Sequence, residues 1–135
     1  VNSNGMITAS YISNEDLDQL DFENIKIIRL VNCPDLTIDR VGAALQRCRI
    51  TLEECNLMKC GRSASFAESL VKLLSSEQVF PQLRKLYLPD PGGLYNEMAD
   101  QLLQLFDRGL EILHIDADWA PSPVDRAYCQ EASNV

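Results

Sequence analysis

His114 is the one histidine of this 135-residue chain, so any Ser-His-Asp or Cys-His catalytic arrangement has to be built on it. Its nearest acid at strand spacing is Asp116, which alternation places alongside the imidazole rather than pointing toward it. No Gly-x-Ser-x-Gly and no glycine-rich cysteine turn offers a nucleophile, and His114 reads as a surface histidine. The thiols are Cys33, Cys48, Cys55, Cys60 and Cys129. Zinc wants four Cys or His ligands; Cys55 and Cys60 lie near each other, but the other cysteines are scattered and the histidine is remote. Asp16, Asp18, Asp21 and Glu23 cluster without the glycine and distal glutamate of a calcium loop. They read as the solvated side of a short segment whose inner face is Leu17, Leu20 and Phe22. Glu53 and Glu54 are adjacent, so strand alternation sends them to opposite sides and they cannot act as a paired acid and base. Pro89-Asp90-Pro91-Gly92-Gly93 is not followed by the Lys-Ser or Lys-Thr of a phosphate-binding loop and reads as a turn from strand to helix. The expectation is a protein that is not an enzyme, with no catalytic residue, metal site or cofactor.

Composition narrows the remaining functions. The chain is 46% hydrophobic and 24% charged, the balance of a soluble domain with a core of its own. No apolar run approaches the roughly 20 residues that span a bilayer. Twenty acidic residues against twelve basic ones give a net charge of −8, a field that repels nucleic acid and anionic membrane surfaces. The opening VNSNGMITASY lacks the basic start and apolar middle of a signal peptide. An odd cysteine count then implies free thiols in a reducing compartment, so the protein is expected inside the cell. Beginning at Val rather than Met, the chain is expected to be a piece of a longer one.

What would position these residues is a repeat. Four segments share one short pattern: Ile25-x-x-Ile28-x-Leu30, Leu83-x-x-Leu86-x-Leu88 and Leu110-x-x-Leu113-x-Ile115 fit it in full, and Arg47-x-x-Ile50-x-Leu52 has Arg47 in the first apolar slot. A weaker copy around Ile7 and Ala9 opens the chain. The middle slots step unevenly but stay near the roughly 20–29 residues of a leucine-rich repeat. The long step before Leu86 calls for an insertion, placed in 61–65 or 75–82. Between the copies run helical stripes: Ile38, Val41 and Leu45; Phe66, Leu70, Leu73 and Leu74; Leu94, Met98, Leu102, Leu105 and Phe106. Ser63 or Ser65 is expected to cap the second stripe, Asn14 a short helix over Leu17 and Leu20, and Gly109 to end the last helix. Alternating strands and helices predict an α/β fold with a parallel sheet, and repetition makes it a short leucine-rich-repeat solenoid with the sheet on the concave face and helices on the convex face. The domain is expected over 1–123, with a tail over 124–135. In that scheme Trp119 covers the last coil, and Cys129, in a loose tail, is the most reactive thiol.

The segment Ile25 to Leu30, followed by Cys33, Leu36, Thr37, Asp39, Leu45 and Cys48, resembles the cysteine-containing leucine-rich repeat, departing from it at the extra residue Ile38. The copy Ile50-x-Leu52-x-x-Cys55 keeps the cysteine slot, while the later copies place Pro91 and Asp118 there. The resemblance covers roughly residues 25–118 and implies that Cys33 and Cys55 stack in neighbouring coils, each in the turn after its strand. It implies a protein-binding role like that of the repeats in F-box proteins, which recognise substrates for ubiquitin ligases. A second resemblance, to a small mitochondrial group related to an ATP synthase subunit, implies a subunit docked permanently in a larger complex. The stretch before Ile25 is too short for an F-box.

With the apolar slots turned inward, the intervening residues line the concave face. They fall into rows: Ile27, Arg49, Lys85 and Ile112; then Arg29, Thr51, Tyr87 and His114; then Val31, Glu53, Pro89 and Asp116. Apolar Ile27, Val31 and Ile112 beside basic and aromatic groups fit a surface for a protein partner, an acidic or phosphorylated one suiting the basic row. The expected partner-binding set is Ile27, Arg29, Arg49, Thr51, Lys85, Tyr87, Ile112, His114 and Asp116. No nucleic acid and no membrane is expected among the partners, and the chain is expected to be a monomer or one subunit of a hetero-complex. The bland alternative is a sheet covered by the chain's own ends. Pro89 lies where that strand would continue, so the strand is expected to stop early.

Overall fold

A computed structural model describes residues 5–76, 80–91 and 95–115. The order of elements is β1 (Met6–Ser10), α1 (Asn14–Asp18), β2 (Ile27–Val31), α2 (Ile38–Arg47), β3 (Glu54–Asn56), α3 (Ala64–Leu74), β4 (Lys85–Leu88), α4 (Tyr95–Asp107) and β5 (Ile112–Ile115). The fold is α/β. One five-stranded sheet, parallel at every pairing, runs β1-β2-β3-β4-β5, so each strand lies beside its successor in sequence. The helices follow the same order, α1 packing on α2, α2 on α3 and α3 on α4. None of the helices among the described residues is long and apolar enough to cross a membrane.

The sheet register shows what repeats. Ile7, Ile28, Cys55, Leu86 and Leu113 form one ladder across the five strands, and each is buried. Leu30, Leu57, Leu88 and Ile115 form the next buried row, and Ile25, Leu52, Leu83 and Leu110 a third just before the strands. These rows meet the helix stripes in a single core with Val41, Leu45, Phe66, Leu70, Leu74, Met98, Leu102 and Leu105. Burying each such side chain contributes roughly 1.5–3 kcal/mol, which is what holds short strands of three to five residues in line.

The approach to each strand after the first has one backbone geometry. The amides of Lys26 and Ile27 both donate to the Gly5 carbonyl, at 2.7 and 3.0 Å. Glu53 and Glu54 both donate to Lys26, Arg84 and Lys85 to Glu53, and Glu111 and Ile112 to Arg84. The turns leaving β1, β2 and β3 repeat as well: Tyr11, Asn32 and Lys59 each take a left-handed φ of 58–61°.

One strand departs from the expected frame. Residues 47–52 do not form a strand: α2 ends at Arg47, Cys48 follows as its C-cap, and Ile50 is 58% exposed. The third strand is Glu54–Asn56, and Cys55 holds the middle apolar slot. The physical reason is length. A ten-residue α2 uses the chain up to Arg47, and the turn to the next strand needs the following residues. The copy therefore reads Leu52-x-x-Cys55-x-Leu57-x-x-Cys60, in the same frame as Ile25-x-x-Ile28-x-Leu30-x-x-Cys33. Placing the slot at Cys55 lengthens the short second interval and shortens the long third one.

The caps also differ in detail. Ser13, not Asn14, caps α1: its hydroxyl accepts from the Asp16 amide at 3.1 Å, and Asp16 accepts from the Ser13 amide at 3.1 Å. Asn14 instead accepts from the Thr37 amide at 3.1 Å and ties α1 to the start of α2. Ser63 is the cap residue of α3, without a side-chain hydrogen bond to the helix, and β4 ends at Leu88 before the buried Pro89. Leu94, Asp116, Asp118, Trp119, Cys129 and the 124–135 tail lie outside the described residues.

Candidate functional site

Alternation along the strands leaves a second face of the sheet turned away from the core. Its first row is Met6, Ile27, Glu54, Lys85 and Ile112, and its second is Thr8, Arg29, Asn56, Tyr87 and His114. Val31 lies paired with Ser10 further along β1 and β2. Of the expected site residues, Ile27, Arg29, Lys85, Tyr87, Ile112 and His114 are brought together here. Arg49 and Thr51 are not, because they precede β3. The Thr51 hydroxyl donates to the carbonyl of Ile25 at 2.7 Å, locking two neighbouring turns. Their places in the rows are taken by Glu54 and Asn56, and that of Glu53 falls to Met58 beyond β3. Asp116 lies outside the described residues.

Two pairings organise the centre of the face. Arg29 Nε donates to Glu54 Oε2 at 2.8 Å; the Glu54 side chain is 8% exposed and the Arg29 side chain 44%. The hydrogen bond and charge of Glu54 raise the Arg29 pKa above its ordinary value, so the guanidinium is charged throughout the physiological range. Tyr87 and His114, register partners on β4 and β5, stack with ring centroids 5.5 Å apart and planes 19° from parallel. A buried carboxylate on an outward-facing strand position is costly unless paired, and Arg29 supplies the partner. Around these pairs Ile27, Val31 and Ile112 are half-buried, and Met6 is 36% exposed.

The thiols sit on the opposite side, in the core. Cys33 and Cys60, not Cys33 and Cys55, occupy equivalent turns, and Gly61 donates its amide to the Cys33 carbonyl. Each thiol lies within reach of the carbonyl two residues earlier, Cys33 of Val31 at 3.6 Å and Cys60 of Met58 at 3.8 Å, while the closer partner of Cys60 is the Leu30 carbonyl of β2 at 2.5 Å. Burial pushes the Cys48 thiol up to about 11 and that of Cys60 up to about 12, and raises Cys55 further still. Such thiols stay protonated near neutral pH and are poor nucleophiles. Among the described residues no three His, Cys, Asp or Glu side chains gather as metal ligands would. The acids near α1 have local partners: Asp16 in the cap, Asp21 accepting from the Glu23 amide, and Asp18 paired with Arg40 of α2.

A concavity of about 410 Å³ lies where the turns after β2 and β3 meet α2 and α3. Leu36, Ile38 and Phe66 line it, with Asp35 and Arg62 paired at its rim.

Glu54 and Asn56 were hidden by the Ile50 frame. The signal that finds them is the Cys60 slot, because free cysteine is itself a small buried hydrophobe and Cys55 can stand where the other copies place Ile or Leu. No family model, no curated protein and no solved structure matches the chain.

Proposed function

We propose that the chain is a short leucine-rich-repeat solenoid and that its open, concave sheet face docks a protein partner. The observation that carries this reading is the face itself. The Tyr87–His114 stack, Lys85 and the Arg29–Glu54 pair sit among half-exposed Ile27, Val31 and Ile112, on strands fixed by a packed core. Apolar and aromatic groups beside a cation are the composition of binding hot spots. A face held rigid by its sheet also loses little entropy on binding. The repeated strand entry and the Cys33 and Cys60 turns support the repeat reading.

Within that function, the cysteine-type repeat favours substrate recognition for an F-box-type ubiquitin ligase. The half-exposed aliphatic residues also suit a permanent interface in a larger assembly. Either role places the protein inside the cell, as a monomer or as one subunit of a hetero-complex. We assign it no catalysis, because His114 stacks on Tyr87 and the described thiols are buried.

The test is quantitative affinity capture from lysate with three proteins: wild type, Lys85→Glu/Tyr87→Ala, and Ile50→Glu as an off-face control. Proteins retained by wild type and Ile50→Glu but lost by the double variant support the reading. Retention by all three places the interface elsewhere.

A further inference from the structure

The open face carries cationic donors and, among the described residues of its two central rows, no exposed carboxylate. Lys85 carries an exposed ammonium with no hydrogen-bond or ion-pair partner among the described residues. Arg29 spends its Nε on Glu54 and leaves its outer nitrogens toward solvent. His114, Tyr87 and Asn56 add a ring N–H, a hydroxyl and an amide. The one carboxylate in the two central rows, Glu54, is buried and already bonded to Arg29. The Asn56 carbonyl oxygen is occupied as well, accepting from the Met58 amide at 3.2 Å. Along the N-terminal rim of the strands, Lys26 and Arg84 balance Glu53 and Glu111, with Arg84 Nε 3.7 Å from Glu111. The exposed net charge of the two central rows is therefore positive among the described residues, in a chain of net charge −8. The acidic remainder is screened beyond roughly 8–10 Å at physiological salt.

Resting on the docking role proposed above, we propose that the occupant of this face is an acidic peptide segment of the partner. Its Asp or Glu carboxylates accept from Lys85, Arg29 and His114, and its apolar or aromatic residues lie on Tyr87, Ile27 and Ile112. Carboxylates supply the negative charge that the two central rows do not expose, and apolar neighbours cover the half-exposed aliphatic side chains. A basic segment would meet Lys85 and Arg29 with like charge, and the one carboxylate of the two central rows, Glu54, is buried. A second copy of this chain would set Lys85 and Arg29 against donor-rich groups of the same kind across an isologous contact.

The probe is a fluorescein-labelled random copolymer of Glu and Tyr, with a Lys and Tyr copolymer as control, read by fluorescence anisotropy at low and physiological salt. The expected result is saturable binding of the Glu-Tyr copolymer, weakened by salt and at least about tenfold weaker for Lys85→Glu, with Lys85→Ala intermediate. Both variants change an exposed side chain, and circular dichroism checks their folding. Equal or tighter binding of the Lys-Tyr copolymer overturns the proposal. So does indifference to Lys85→Glu, or failure to bind the Glu-Tyr copolymer. Concentration-dependent dimerisation of wild type in sedimentation, abolished by Lys85→Glu/Tyr87→Ala, overturns it in favour of a second copy. If lysate partners still depend on Lys85 and Tyr87 while the acidic copolymer does not bind, the acidic occupant fails and the docking face stands.

Discussion

Glu54 and the buried thiols set what single residues contribute. Glu54 is a buried carboxylate, and its stabilising partner is half in solvent. Arg29→Met should therefore destabilise by about 1–2 kcal/mol, less than a fully buried pair would lose, because water screens the exposed guanidinium. Arg29→Met/Glu54→Leu should recover part of that loss in a urea-denaturation double-mutant cycle. Since the Arg29 pKa is raised, the pair's contribution on the arginine side is complete at neutral pH and is lost only in strong alkali. The cysteines act at a lower pH. In the unfolded chain they ionise near 9.0, whereas burial holds Cys48 to about 11 and Cys60 to about 12. The folded state is thus favoured fully below about pH 9, and that advantage is lost as pH rises through the folded values. Tm should fall between pH 9 and 11, and less steeply in Cys48→Ala/Cys60→Ala, as differential scanning calorimetry reads directly. Iodoacetamide at pH 8 should leave Cys33, Cys48, Cys55 and Cys60 unmodified until denaturant is added.

Elements depend on frame. The copies beginning at Ile25, Leu83 and Leu110 were legible, because three apolar slots and a following helical stripe agree on one register. The copy before α3 was not: Arg47-x-x-Ile50-x-Leu52 has a charged residue in the first apolar slot, while Leu52-x-x-Cys55-x-Leu57 fills all three but only if cysteine counts as apolar. Arg47 in the first slot and Cys60 three residues beyond Leu57 both favour the second frame, and a ten-residue α2 ending at Arg47 requires it. The error carried into the site: Arg49 and Thr51 were placed on a face that Glu54 and Asn56 occupy. The two frames make opposite demands on mutation. Ile50→Glu should change stability by less than about 0.5 kcal/mol, because Ile50 is exposed, whereas Cys55→Glu should prevent folding, because Cys55 is buried in the ladder. Gly61 gives a second test. Its φ is +77°, and a Cβ there would lie 2.5 Å from the Phe66 ring, so Gly61→Ala should cost at least about 1–3 kcal/mol by urea denaturation.

At the scale of the whole molecule, the sheet and its core are one object with two chemistries. One side is a dry stack of Leu, Ile and Cys, and the other carries aromatic, cationic and half-covered aliphatic groups. The sequence conveyed the first side through periodicity. It conveyed the second only where the frame was right, and the Tyr87–His114 stack and Arg29–Glu54 pair depend on register between strands far apart in the chain. A docking role for the second side makes a spatial claim that crosslinking reads without knowledge of the partner. The most direct measurement places benzoylphenylalanine at Tyr87, or at Gln104 on the exposed surface of α4, and irradiates each protein in lysate. The account predicts a discrete crosslinked protein from position 87 that is absent from position 104 and lost on adding Lys85→Glu. A crosslink from position 104 with none from position 87 would contradict it.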